Sequence, residues 1–392
     1  MESNKFFGVT LALLPPIGIY SIVSGITLAV VLIFISVFIY IIDNKNKISL
    51  SNPEWRFYVI ITILGLISWL TNSSTGWYSS SLFVNNYLNL SINFIAIILL
   101  SYKCNVKYFI WTVIIIAIAA SLICIYQWAM VVLNGTFVTN IYLPWFEINR
   151  NIESISITRP CAFFTEPAHV CMYIAPVLYT SFLMKKYLIS FILICGMLFS
   201  TSTTGLLLVV IIPCIYFYKK KYLFRYIILM FSILGIGYAF ISFFLPDLFD
   251  FATAKIGNTD ISENQRLLGP LRYLKYFGVI DCLFGIGLNQ LENFVINARG
   301  GLLMEGSGNY ANSILYMYIS YGIIGLMTLV LYLYHNFKKS KNCIGYWIIF
   351  LAVLASDQIL FAYFFVYLVT FIILASKIKE NRMNFSNDNF NV

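Results

Sequence analysis

The sequence predicts an all-α, polytopic integral membrane protein with about twelve transmembrane helices and one long outer loop. Three observations carry this. Of 392 residues, 60% are hydrophobic and only 10% charged, against about 25% charged in a soluble domain. The mean hydropathy is +0.84, and apolar runs near the length of a bilayer-spanning helix recur along most of the chain. The short basic loops all fall on one side of the resulting alternation. A soluble enzyme, a disordered chain and a nucleic-acid-binding domain are excluded.

Spans are expected near 7–22, 24–42, 57–71, 83–101, 108–133, 161–183, 188–201, 204–218, 226–246, 309–334, 343–357 and 358–376. The run 7–42 is too long for one ordinary span, and Pro15-Pro16 interrupts it. The first run has no A-x-A-like end and continues into further apolar sequence, so no cleavable signal peptide is expected. Short spans 188–201 and 204–218 flank the polar STSTTG (200–205), and Asp357 marks a turn between the last two, in the outer interface.

With the N-terminus inside, all but seven of the 25 basic residues lie in inner segments. The net charge of +9 is therefore mostly an orientation signal, with both termini cytoplasmic. The seven others are Arg150, Arg159, Lys255, Arg266, Arg272, Lys275 and Arg299, all on the outer side. The chain reads as one transmembrane domain, 1–392, with outer loops at 134–159 and 247–308. The second carries Tyr, Leu and Phe at intervals, as a folded loop would, and its length marks it as functional. No internal repeat is visible, which weighs against an inverted-repeat transporter.

Four stretches hold candidate chemistry. The first is TRPCAFFTEPAH (158–169). Glu166 and His169 stand at the outer start of an apolar span, one turn apart. Pro167 suits a first helical position, so Thr165 or Glu166 is a candidate cap. Ionisable groups at membrane depth are functional candidates by default; the competing reading is a structural Arg159–Glu166 pair and a hydrogen-bonded core histidine. The second is ENQRLLGPLRYLKYF (263–277), an amphipathic stretch suited to the interface and broken at Gly269-Pro270. Arg266, Arg272 and Lys275 there either hold phosphate or snorkel to headgroups. The third, FGIGLNQLENF (284–294), has Gly285 and Gly287 for tight turns, then polar Asn289-Gln290. In the fourth, EGSGNYANSILYMYISYGIIGL (305–326), Ser307, Asn309 or Asn312 is placed to cap a span, and Gly322 and Gly325 to let helices approach. Tyr142, Trp145, Tyr273 and Tyr310 either line a sugar cleft or anchor the interface.

No metal, cofactor or nucleotide motif is present. There is no D-x-D, Asp247 and Asp250 being three apart, no Walker sequence and no G-x-S-x-G. Only two histidines occur, and none of the eight cysteines forms a C-x-x-C pair, so they read as small buried hydrophobes.

RPCAFFTEPAH, STSTTG, NQRLLGPLRYLKYF, FGIGLNQ and NSILYMYISYGIIGL, in that order, resemble the bacterial O-antigen polymerase (Wzy-type) family within the O-antigen ligase and polymerase superfamily. The resemblance is specific over about residues 150–335. It implies a GT-C-like membrane enzyme of the bacterial inner membrane. Such a polymerase takes undecaprenyl-pyrophosphate-linked oligosaccharide units at the outer face and transfers the growing chain onto the next unit. It implies no metal or nucleotide sugar, and as partners the lipid bilayer and a chain-length regulator and flippase of the same pathway. It gives Glu166 and His169 to catalysis and Arg159, Arg266, Arg272, Asn289, Asn309 and Asn312 to substrate binding. Ligase relatives often carry a histidine where this chain has Ala311, which argues against the ligase role. A lipid-linked saccharide flippase is the other alternative.

Overall fold

The computed structural model describes residues 3–23, 26–44, 52–134, 146–148, 159–219, 269–300 and 311–377. The described chain is mostly helical: α1 (Ser3–Ile17), α2 (Leu28–Asn44), α3 (Pro53–Asn72), α4 (Ser80–Ile95, prolonged by a π turn to Ser101), α5 (Val106–Asn134), α6 (Pro167–Leu183), α7 (Tyr187–Phe199) and α8 (Thr203–Lys219). A 3-10 run (Gly269–Tyr276) precedes α9 (Val279–Phe284), α10 (Leu291–Ala298), α11 (Ser313–Lys339), α12 (Ile344–Ser356) and α13 (Tyr363–Lys377). Four helical segments, Pro53–Asn72, Ser80–Ser101, Val106–Met130 and Ser313–Lys339, are long and apolar enough to cross a membrane. The span expected at 226–246 lies outside the described residues.

The mostly helical chain fits the all-α expectation, with one short sheet beside the helices. Between α1 and α2 stand β1 (Tyr20–Val23) and β2 (Ile26–Thr27), and β3 (Glu147–Ile148) pairs antiparallel with β1 to give the order β2-β1-β3. After Pro15-Pro16 the helix stops at Ile17, and the β-favouring Tyr20–Val23 run extends. The apolar composition of 7–42 concealed this, because hydropathy does not distinguish helix from strand. Part of the 134–159 loop thus docks on the hairpin.

On α2 the helix is apolar all round. Ala29, Val30, Ile33 and Tyr40 are buried, while Phe34, Ile35, Phe38, Ile41 and Ile42 are exposed. An outward stripe of that kind belongs against lipid. Inside, small residues set the spacing. A Cβ on Gly196 would come within 2.4 Å of the Ser121 side chain, and one on Gly345 within 2.1 Å of the Tyr179 ring, as expected where helices touch closely.

Contacts sort the helix ends into two sets. At one end Asn105 N donates to Asn4 O, Tyr102 donates to Glu54, and Lys377 Nζ donates to Tyr102 O. At the other, β1 pairs with β3, Arg159 meets Thr201, Gln290 meets Ser79, and Ser313 meets Asp357. Every pairing obeys the alternation read from the loops.

The long loop is only partly a cover. Residues 247–268 and 301–308 lie outside the described residues. The described part sends Gly285–Gly287 against α11 where that helix breaks at Gly322 (φ 64°, ψ −164°). Ile286 N donates to Ile319 O and Gly287 N to Ser320 O, each at 3.0 Å. The break frees carbonyls of α11, and the loop's amides satisfy two of them. Non-helical backbone at membrane depth is tolerated under that condition.

Candidate functional site

A cavity of about 320 Å³ opens at the end of the bundle that carries the sheet, between α1, the start of α6 and the α12–α13 turn. Glu166, His169, Asp357, Gln358, Tyr363 and Phe364 line it. Sequence reading paired Glu166 with His169; the fold adds Asp357, nearly 200 residues away.

The turn before α6 aims Glu166. Ala162 has a left-handed φ of 50°, and its N–H donates to Gln127 Oε1 on α5 at 2.9 Å. Phe164 N donates to Cys161 O at 2.9 Å. Glu166 then occupies the N-cap of α6 in extended conformation, with Pro167 in the first turn and no side-chain capping bond. The chain thus reaches the cap geometry, but the carboxylate is not consumed in capping. His169 is fixed through Nδ1 by the Thr165 hydroxyl, and its ring lies 5.0 Å from that of Phe364.

Asp357 stands in the turn between α12 and α13 and is 3% exposed. Its Oδ1 accepts from Gln358 N at 2.8 Å. Its carbonyl accepts from Ser313 N and Ser313 Oγ at 3.0 and 2.8 Å. The same Ser313 Oγ accepts from Ile359 N at 2.9 Å. One serine at the start of α11 therefore clamps the whole 357–360 turn. Tyr363 closes the cavity wall, its hydroxyl 2.6 Å from Thr27 Oγ1 on β2. A single acid between two apolar helices was the available signal for Asp357; its partners are too distant in sequence to be read.

Two carboxylates, an oriented imidazole and neighbouring aromatic rings can take a proton from a hydroxyl and hold a polyol against an apolar wall. Among the described residues, no three of His, Cys, Asp and Glu stand close enough together to hold a metal ion.

The remaining candidates separate. Arg159 is half-buried and not among the lining residues of the cavity; its Nη2 donates to Thr201 O at 2.9 Å and its Nε to Thr201 Oγ1 at 3.4 Å. It thereby closes the STSTTG turn, where Thr201 has φ 54°. Arg272 sits in the 3-10 run with its guanidinium 5.0 Å from the Tyr273 ring, and Lys275 lies 5.0 Å from the Tyr276 ring. Three residues per turn align positions 272 and 275 on one edge. The described run starts at Gly269-Pro270; residues 263–268, before the expected break, lie outside the described residues. Asn289 (φ 55°) donates to Asn86 Oδ1 at 2.6 Å and accepts from the Tyr316 hydroxyl at 3.1 Å. Asn312 caps α11, accepting from Leu315 N at 3.0 Å. Asn289 thus ties the loop to α4 and α11, while Asn312 serves the start of its own helix. Arg266, Asn309 and Tyr310 lie outside the described residues, as do Tyr142 and Trp145.

Sequence reading noted Gln290 only as the polar neighbour of Asn289, without a role. It is fully buried; its Oε1 accepts from Ser79 N at 3.1 Å and its Nε2 donates to Ser79 O at 2.9 Å. This two-way clasp ties the loop to the start of α4. No protein-family model matches the chain, and no curated protein matches it.

Proposed function

We propose that this chain is a multi-pass enzyme of the bacterial inner membrane that polymerises undecaprenyl-pyrophosphate-linked oligosaccharide units into a surface polysaccharide. The reading takes about twelve spans in a GT-C-like arrangement, termini in the cytoplasm and the Glu166 cavity at the outer face. The observation that carries it is the joint lining of that cavity by Glu166, His169 and Asp357, the first two within the stretch that resembles the O-antigen polymerases. The helix-end contacts support it, since they keep the cavity and both outer loops on one side.

The chemistry is a glycosyl transfer. An acceptor hydroxyl gives its proton to the Glu166 carboxylate as its oxygen bonds to the anomeric carbon of the donor chain. The bond from that carbon to the pyrophosphate oxygen breaks, and the lipid pyrophosphate leaves with the electron pair. That leaving group is a stable anion, so cationic side chains do more for it than a strong acid; Arg266 and Arg272 are the assigned cations. Asp357 orients the acceptor, and Thr165 fixes His169 beside it. The lipid-linked unit, a chain-length regulator and a flippase are the partners this reading requires.

The test is complementation of a deletion strain with Glu166→Gln, Asp357→Asn and His169→Gln, with protein amount measured by immunoblot. Loss of the polysaccharide ladder with a single repeat unit retained is expected for the two acid variants. Normal ladders from both refute the assignment. The break in α11 favours a second reading, a flippase, since discontinuous helices mark transport sites. Uptake of a lipid-linked unit into vesicles by the purified protein would establish that alternative.

A further inference from the structure

At the end of the bundle opposite the Glu166 cavity lies a second cavity, of about 170 Å³, bounded by the start of α3, the last turns of α11, and α12 and α13. That is room for roughly ten water-sized centres. Its polar lining includes Glu54, Asn336, Lys339 and Ser340. Glu54 is 1% exposed, and the Tyr102 hydroxyl donates to its Oε2 at 2.7 Å. A buried carboxylate is costly unless paired and hydrogen-bonded, and Glu54 stands in the first turn of α3, where a helix N-terminus favours an anion. Lys339 faces the same space and acts on Glu54 electrostatically. The Asn336 Nδ2 group is shut off from solvent and has no acceptor. Ser340 is already engaged: its Oγ donates to Asn336 O at 2.6 Å and accepts from Trp347 Nε1 at 2.7 Å.

The cavity therefore gathers an acid, a lysine and a buried amide N–H that lacks an acceptor. Its other walls, Tyr332, Phe350, Val369, Ile372 and Ile373, are aromatic or aliphatic. Asn52, Ser340 and Ser376 place it at helix ends, the level of lipid headgroups, where Trp and Lys gather.

We propose that this cavity binds the ammonium–phosphate headgroup of an aminophospholipid, with the primary ammonium on Glu54 and the phosphate on Asn336 Nδ2 and Lys339. A trimethylammonium headgroup has no N–H for Glu54, and a glycerol headgroup has no cation. The site is independent of the transfer reaction and of the cavity at the other end.

The experiment is native mass spectrometry of the detergent-purified full chain, incubated with equimolar phosphatidylethanolamine, phosphatidylcholine and phosphatidylglycerol. The ethanolamine lipid is expected to be retained at least tenfold over the others. Glu54→Gln keeps an acceptor for Tyr102 and should abolish that preference; Asn336→Ala should reduce it. Excess glycerophosphoethanolamine separates the sources: displacement assigns a soluble headgroup compound, and persistence assigns the intact lipid. Equal retention of the three lipids by the unmodified protein overturns the proposal whether or not the variants fold, as does an unchanged preference in a folded Glu54→Gln protein.

Discussion

Gly322→Ala isolates the contact between the inserted loop and the broken helix. Gly322 has φ 64° and ψ −164°, a region essentially restricted to glycine, and holding alanine there costs about 1–3 kcal/mol. The added Cβ would stand 2.3 Å from both the carbonyl carbon and oxygen of Leu283. Those are backbone atoms, so relief requires the loop to move. Movement breaks the bonds from Ile286 N to Ile319 O and from Gly287 N to Ser320 O. Each broken bond strands at least one buried group, at about 1–3 kcal/mol. The minimum loss is therefore about 3 kcal/mol. At roughly 2 °C per kcal/mol for a large domain, the melting temperature should fall by on the order of 5–10 °C. Thermal unfolding read by a thiol-reactive dye suits the chain, because Cys104, Cys124, Cys161, Cys171 and Cys343 are all buried. Two controls separate the terms. Gly300 has φ 66° with nothing within 4 Å of an added Cβ, so its alanine variant should lose only about 1 kcal/mol. Gly76 has open space and no positive φ, so Gly76→Ala should melt with the unmodified protein. A Gly322→Ala protein that melts within 1–2 °C of Gly76→Ala would refute the reasoning.

Gln290→Leu removes both arms of the clasp on Ser79 and should cost about 1–3 kcal/mol for each stranded backbone group, read in the same melt; an unchanged melting temperature would show that the clasp is not formed. Gln127→Leu strands the Ala162 N–H and should cost about 1–3 kcal/mol while loosening the turn that aims Glu166, so polysaccharide ladders should shorten at normal protein level; full ladders and an unchanged melt would count against it. Burial pushes the Cys104 thiol from 9.0 up to about 12, so the folded protein keeps it protonated where an unfolded chain has begun to ionise. The raised value means stability that is complete below about pH 9 and lost as pH rises toward about 12. Maleimide at pH 8 should therefore label the half-buried Cys282 and spare Cys104 until the protein is denatured, as mass mapping of the modified cysteines will report; equal labelling of both in the folded protein would contradict the packing.

Much of the architecture was legible because lipid is a simple solvent. A segment crossing it needs a long apolar run, and basic loops betray their side. Hence the helices stand close to the expected runs, and the end-to-end contacts keep the expected alternation. Where the backbone departs from helix, hydropathy was blind. The hairpin Tyr20–Thr27 and the break at Gly322 are as apolar as their surroundings, and only their hydrogen-bond partners distinguish them. The site divides in the same way. Glu166 and His169 were readable as ionisable groups one turn apart at the head of an apolar helix. Asp357 stood out only as a lone acid, and Gln290 only as a polar residue beside Asn289, its partner Ser79 being too distant in sequence to read.

By itself the sequence determined the class: a chain with 10% charged residues has too little polar surface for water, and its apolar runs form helices of which four, among the described residues, are long and apolar enough to cross a membrane. Tertiary structure alone decided which polar groups meet. It brought Asp357 to the cavity of Glu166, set Arg159 on Thr201, made Asn289 a tie between α4 and α11, and placed Glu54 and Asn336 around one space at the far end. The physical reason is that burial is a local, additive preference each segment expresses alone. A hydrogen bond between residues hundreds of positions apart exists only once the packing of every intervening helix has fixed its geometry.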